Sequence, residues 1–363
     1  MINNLIYKLI KNNFAVEEVN STDIGNPERI LVIRQHNQLG DLLATVSLLR
    51  ALKEKFPKSS LTLIASKANF AAVTKNRFID RLFVFDKKKI YTPTGFMKFW
   101  KLLREPYDVV IVPVTVSVSF TSNFMARISN SKVRIGVKSL NGNANKYDFF
   151  FDRRVALDWS KYPDNNVSEF GLDIVRPFGI TTDDFSSEIT SDESDYLSAE
   201  AFISTLNITD NELLIGLHVG AGKPPNRWSL AKYAQLIKRL NANYSAKFYL
   251  TGSSADKDEL KFLTDTLDIR PGLFLNRTIP EVAALISKSD LFITNDTGIM
   301  HVAGATRTAQ ISIFGPTNPY NWAPIGSNKD FLWKSDLIDD ITVDDVYSLC
   351  EKVLSGIQKK TRI

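Results

Sequence analysis

ILVIRQHNQLGDLLATVSLLRALKEKFP, residues 30–57, decides the fold class. Ile30 to Ile33 form an apolar, mostly β-branched run of the kind that fills a strand buried on both faces. Gly40 and Asp41 follow. Leu42, Val46, Leu49 and Leu52 then recur at helical spacing up to Pro57. A doubly buried strand feeding an amphipathic helix is the first half of a βαβ unit. The alternation continues outward from it. Further strands are expected at 61–65, 82–85, 109–112 and 133–137. A second series is expected at 214–219, 247–250, 273–275, 291–294 and 311–314, with helices at 229–240 and 278–287. Thr278 and Glu281 form a capping box at the start of the latter.

Two α/β series imply two domains. Between them lies TTDDFSSEITSDESD, residues 181–195, polar and acidic, with the composition of an inter-domain connection. The expected organisation is an amphipathic segment over 1–27, one Rossmann-like domain over 28–180, a linker over 181–195, a second Rossmann-like domain over 196–335, and a C-terminal helix over 336–363 that docks on the body. In the first segment Ile2, Leu5, Ile6, Leu9, Ile10 and Phe14 fall on one helical stripe, and Lys8 and Lys11 lie off it. The favoured reading is a helix packed on the protein's own surface; the other is a helix laid on a membrane surface or a partner. Lys8 breaks the apolar run and no small-residue cleavage site follows, so a signal peptide is not expected. A cytoplasmic location is, with contact to the inner face of the membrane.

Composition removes several classes of function. One cysteine cannot make an intrachain disulfide. A net charge of +5 over 363 residues suits an acidic ligand or an anionic surface. It lacks the basic stripe or module of a nucleic-acid binder, and no nucleic-acid partner is expected. No apolar run approaches the length of a transmembrane helix. His36, His218 and His301 have no metal-ligand spacing, so neither metal nor cofactor is expected.

In open parallel sheets, ligands bind beyond the carboxyl ends of the strands. Four segments there can carry chemistry. Asp41 stands at the start of a helix, with Gly40 allowing a tight turn before it. It is either a carboxylate that stabilises its helix by about 0.3–1 kcal/mol or a general base, and spacing alone favours the former. Thr294-Asn-Asp296-Thr297-Gly298-Ile-Met-His301 follows an apolar strand and opens a short helix. Asp296 or Thr297 can cap that helix, and its first-turn N–H groups suit an anion. His301, one turn in, can face the same anion; the bland reading is a buried core histidine. Gly220-Ala-Gly222-Lys223-Pro-Pro-Asn226-Arg227-Trp228 pairs glycines with two cations, like a phosphate loop. Pro225 replaces the third glycine of a dinucleotide fingerprint and no acid ends the next strand, which disfavours a nicotinamide oxidoreductase. Gly315-Pro-Thr317 follows the last strand, either as a simple turn or closing over a ligand.

Taken in order, Leu39-Gly40-Asp41 with its LLRALK helix, Gly220 to Trp228, Asn295-Asp-Thr-Gly298-x-x-His301 and Phe314-Gly-Pro-Thr317 resemble glycosyltransferase family 9, the bacterial lipopolysaccharide heptosyltransferases. The resemblance spans roughly residues 28–330. It implies a GT-B fold, two Rossmann-like domains facing a central cleft, with the acceptor on the first and a nucleotide-sugar donor, ADP-heptose by preference, on the second. It implies inverting, metal-independent transfer to an acidic glycan or glycolipid. Asp41 would be the base. Asp296, Thr297, Gly298 and His301 would hold the donor diphosphate and sugar, with Gly222, Lys223 and Arg227. Ser253 and Thr278 lie where the nucleotide is expected, and Gly40, Arg153 and Arg154 would border the acceptor. Asn226 departs from the family's phosphate-touching lysine, and Lys223 is the substitute. The alternatives are another GT-B enzyme, such as an epimerase, and a non-catalytic two-domain sugar-binding protein.

Overall fold

The computed structural model describes residues 2–356, and the chain divides into two compact units, Met1–Phe185 and Ser186–Ile363. Unit 1 holds strands β1 (Arg29–Arg34), β2 (Ser60–Ser66), β3 (Arg81–Phe85), β4 (Tyr107–Ile111), β5 (Ser131–Leu140), β6 (Asn143–Ala144) and β7 (Arg153–Leu157). They run in the order β3-β2-β1-β4-β5, with β6 and β7 both pairing β5. All pairs are parallel except β5 with β6. Unit 2 holds β8 (Leu213–His218), β9 (Ala246–Gly252), β10 (Gly272–Leu275), β11 (Leu291–Asn295), β12 (Ala309–Ile313) and β13 (Lys329–Leu332), all parallel, in the order β10-β9-β8-β11-β12-β13.

The central strands are apolar because helices cover both faces. Ile30 to Ile33 are wholly buried, and β1 is in register with β2 (Ile33 opposite Ile64) and β4 (Leu31 opposite Val110). In both units the winding reverses at the first strand, between β1 and β4 and between β8 and β11. Adjacent crossovers depart to opposite faces there and open a crevice at the strands' carboxyl ends.

Four features depart from the sequence reading. The stretch 181–195 is not all connection: the unit boundary falls at 185/186, and residues 193–195 begin the helix Glu193–Thr205. Asp192 and Asp195 form its capping box, so much of the acidity belongs to a helix N-terminus, where carboxylates satisfy free N–H groups. The N-terminal helix, Ile2–Phe14, does pack on its own unit, but on a different face. Tyr7, Ile10 and Phe14 meet the core, Phe14 against Phe124 and Tyr7 against Phe149, whereas Leu5, Ile6 and Leu9 are exposed. Gly40 lies inside the helix Leu39–Ala44 rather than in a tight turn, and the glycines of left-handed φ among the described residues are Gly25, Gly142 and Gly179. Three strands, β6, β7 and β13, have no counterpart in the expected set.

Of the C-terminal segment 336–363, the helix Val343–Ser355 docks within unit 2, and residues 357–363 lie outside the described residues. It buries Val346, Tyr347, Cys350 and Leu354 against the helix Leu230–Asn243, with Arg239 over the Tyr347 ring.

Candidate functional site

Unit 1 places Asp41 at its crevice. Arg34 is the last residue of β1, and its side chain is only 1% exposed. One guanidinium nitrogen lies 3.2 Å from Asp41 Oδ1 and donates to Thr115 Oγ1 at 2.7 Å. The Thr115 hydroxyl donates onward to the same Asp41 oxygen. Thr115 follows β4, so the triad spans the reversal point. The Trp159 indole fixes the Thr115 carbonyl at 3.1 Å. Among the described residues the second carboxylate oxygen, Oδ2, accepts no hydrogen bond. Asp41 is thus a buried carboxylate clamped through one oxygen with the other unengaged. A helix cap would instead direct its oxygens to first-turn N–H groups, and Gln38, not Asp41, is the N-cap here.

The other nitrogen of Arg34 meets His36 Nδ1. Burial lowers the His36 pKa, the neighbouring guanidinium lowers it further, and Asp41 opposes both. A neutral imidazole, accepting at Nδ1, fits that contact. Burial also lowers Arg34, with Asp41 opposing. The loop between β1 and its helix is held by Asn69, whose amide donates to the carbonyls of His36 (2.8 Å) and Gln38 (2.9 Å). Beside it a cavity of about 300 Å³ is lined by Gln35, Asn37, Ser66, Lys67, Phe85 and Lys87.

Unit 2 brings together two of the other segments. Asn295, fully buried at the end of β11, donates to the Val219 carbonyl at 2.9 Å and accepts from the Tyr233 hydroxyl (2.9 Å) and the Trp228 amide (3.2 Å). It pins the loop after β8 to the loop after β11. The Asn226 amide donates to Asp296 Oδ2 at 2.8 Å and to the Asp296 carbonyl at 3.2 Å. Thr297 occupies the N-cap of the helix Gly298–Gly304, but its side chain makes no capping bond and Asp296 is turned to Asn226. The expected cap is therefore absent. Of the first-turn N–H groups, that of Met300 donates to the Thr297 carbonyl at 3.0 Å; Gly298 and Ile299 come too early for an i−4 intrahelical partner, and Thr297, Gly298 and Ile299 are only half-buried. His301 is half-buried too, with its ring edge-on to Trp322.

Lys223 is exposed, and among the described residues its ammonium has no ion-pair partner. Arg227 is partly committed, to the Ala221 carbonyl (2.7 Å) and to Glu259 (3.0 Å). Gly220 is needed for space: a Cβ there would stand 2.2 Å from Asp256 Oδ1, whereas Gly222 has nothing within 4 Å. His218, buried below Gly220, contacts the Thr251 carbonyl through Nδ1 at 3.0 Å; burial lowers its pKa and Asp256 opposes.

Other expected residues are occupied structurally. Ser253 caps the turn Ser254–Asp256 and donates to Asp256 at 2.9 Å. Thr278 shares a capping box with Glu281 at 2.8 Å. Arg153 pairs with Asp152. Arg154 donates to the carbonyls of Phe151 and Val16 and faces Glu18 and Asp148, tying the N-terminal segment to β7. Both arginines are largely buried, so the geometry gives neither an acceptor role. Among the described residues no His, Cys, Asp or Glu cluster has metal-binding geometry. Sequence reasoning missed Arg34, Thr115 and His36. The available signal was an arginine ending an unbroken apolar run, where a charge survives only with a partner.

A family model described as glycosyltransferase family 9 (heptosyltransferase) matches residues 96–345. The lipopolysaccharide heptosyltransferase 3 of Escherichia coli is 24% identical over 311 residues, covering 82% of this chain and 86% of that protein. The crystal structure of a family 9 glycosyl transferase from Veillonella parvula aligns with a TM-score of 0.79 at 20% identity, over 94% of this chain and 100% of that one. The structure of the Escherichia coli ADP-heptose lipopolysaccharide heptosyltransferase II aligns with a TM-score of 0.73 at 18% identity, over 90% and 98%. The expected GT-B fold class is the fold class of this chain.

Proposed function

Because this chain belongs to glycosyltransferase family 9, the heptosyltransferase family, we propose that it moves a heptose from ADP-heptose to a hydroxyl of a lipopolysaccharide-core glycan. The observation that carries the chemistry is the Asp41 carboxylate, held at Oδ1 by Arg34 and Thr115 with Oδ2 unengaged. In a single displacement the acceptor hydroxyl attacks the anomeric carbon. The new C–O bond forms as the bond to the diphosphate breaks. The hydroxyl proton passes to Asp41 Oδ2 and the electron pair leaves with the diphosphate. Configuration inverts.

Charge growing on the leaving diphosphate is met in unit 2. The first-turn amides at Thr297 and Gly298, the free ammonium of Lys223, and Arg227 and His301 supply donors, and Gly222 leaves room for close approach. One well-aimed donor in such a site lowers the barrier by about 3 kcal/mol. Lys223 supplies the cation that Asn226 cannot, while Asn226 turns the Asp296 carboxylate aside. Ser253 and Thr278, at the carboxyl ends of β9 and β10, border the nucleotide through the backbone of their capped turns. The cavity beside Asn37 takes the acceptor, with Lys67 and Lys87 at its rim for acidic groups. The acceptor is a glycolipid, which sets the reaction at the cytoplasmic face of the inner membrane. Among the described residues no helix is long and apolar enough to cross that membrane.

The test is product analysis with ADP-heptose and lipopolysaccharide cores truncated at successive heptoses, beside UDP-sugars. ADP release with a heptose mass increment on one core is the expected result. Consumption of a UDP-sugar with ADP-heptose untouched overturns the donor assignment. Donor binding without turnover on any core leaves the sugar-binding alternative.

A further inference from the structure

Residues 87–104, KKKIYTPTGFMKFWKLLR, hold six cations and no acid. They form two consecutive helices, Lys87–Ile90 and Pro93–Arg104. The second turns Phe99, Leu102 and Leu103 into the core of unit 1. Helical spacing sets Phe96, Met97, Trp100, Lys101 and Arg104 on the opposite face, and all five are exposed. Met97 is 68% exposed and Tyr91, between the helices, 88%. Phe96 stacks on Trp100, and the Arg104 guanidinium lies over the Trp100 ring. The acids at either end are engaged elsewhere: Asp86 caps the first helix and pairs with Lys67, and Glu105 pairs with Arg81. Among the described residues Lys88, Lys98, Lys101 and Arg104 make no ion pair.

This is a folded surface element with large apolar groups turned to water inside a ring of unpaired cations. Its complement has an apolar layer beneath a sheet of negative charge. Aromatic rings settle at headgroup depth, lysine stems lie along them, and the ammonium groups reach phosphate. Its place in the fold matters as well. The segment leaves the carboxyl end of β3, and its first residue, Lys87, lines the same cavity as Gln35 and Asn37. We infer that residues 87–104 dock the chain on an anionic phospholipid surface beside the cavity that takes the acceptor. The inference rests on the proposed membrane-borne acceptor and names the surface that meets the membrane.

The test is co-sedimentation of the full chain with vesicles of phosphatidylglycerol and phosphatidylethanolamine, and with vesicles of phosphatidylcholine alone. Binding to the anionic vesicles only is expected. Lys88→Gln, Lys98→Gln and Lys101→Gln should each lower the partition coefficient about fivefold, and about 100-fold together. Met97→Ser with Trp100→Ser should lower it at least about tenfold. All these positions are exposed, and unchanged melting confirms folding. Equal partition of the triple lysine variant and the parent overturns the inference. So does equal binding to the uncharged vesicles, or binding abolished by Leu5→Ser with Leu9→Ser but indifferent to positions 97 and 100. Turnover on a delipidated, water-soluble core separates the two claims. If it persists while vesicle binding fails, only the docking surface is wrong. If vesicle binding follows the lysines while turnover fails on every core, only the reaction is wrong.

Discussion

The reversal points of the two sheets share a strand order and differ in how each holds its carboxylate. In unit 1, Asp41 is buried and gripped by a guanidinium and a hydroxyl. In unit 2, Asp296 is half-buried and held by the neutral amide of Asn226. A buried carboxylate needs a cation or several donors to survive away from water. A half-exposed one is stabilised by solvent and needs only to be aimed. The first arrangement presents one fixed oxygen to a proton. The second ties the Asp296 carboxylate to Asn226, and among the described residues Lys223 has no ion-pair partner; under the proposal it and the helix amides meet the anion. On the proposed reading, the same crevice geometry serves a base in one unit and a diphosphate in the other.

The contrast is sharpest at the partners of the two carboxylates. Arg34→Met strands Asp41 without its cation and should cost about 3–5 kcal/mol of stability in urea unfolding. Arg34→Met with Asp41→Asn should recover much of that loss, since the buried charge goes with its partner. A single variant no less stable than the parent removes the clamp. Lys223→Ala should raise the donor KM about tenfold, with little change in melting, because its ammonium holds nothing else in the fold. An unchanged donor KM would return the diphosphate to Arg227 and the helix amides alone. Asn226→Ala should cost only about 1 kcal/mol, because Asp296 regains water; a loss as large as that of Arg34→Met erases the distinction. Smallest is the reactivity of Cys350, in the core of unit 2. Burial pushes its thiol up to about 12, so below that pH it stays protonated and alkylation should appear only on unfolding. Alkylation of the folded chain at neutral pH contradicts that packing.

Much of the fold was legible because the central strands are buried on both faces and announce themselves as unbroken apolar runs, as at Ile30 to Ile33. The edge strands β7 and β13 were not, because RRVAL and KDFL pair on the rim of a sheet and carry charge. The acidic stretch before Tyr196 has the composition of a linker, yet Asp192 and Asp195 are a helix cap. Composition does not separate the two; only the side-chain bonds do. Asp41 and the segment Asp296 to His301 were singled out because ligands bind beyond the carboxyl ends of parallel strands. Their holders were missed because they come from another strand: Arg34 reaches Thr115 across 81 residues, and Asn226 reaches Asp296 across 70. Local spacing does not encode such pairs. Arg153 and Arg154 read as an acceptor rim because surface exposure is the usual fate of adjacent arginines. Here neighbouring carbonyls and carboxylates claim them.

The division of labour between the two crevices is tested most directly by Asp41→Asn, with turnover and ADP-heptose binding measured on the same preparation. Asparagine keeps the shape and loses the basicity. The expected result is a fall in kcat of about 100-fold or more with donor affinity unchanged. Near-parental turnover, or a donor affinity that falls along with kcat, would contradict the assignment of proton removal to unit 1 and diphosphate binding to unit 2.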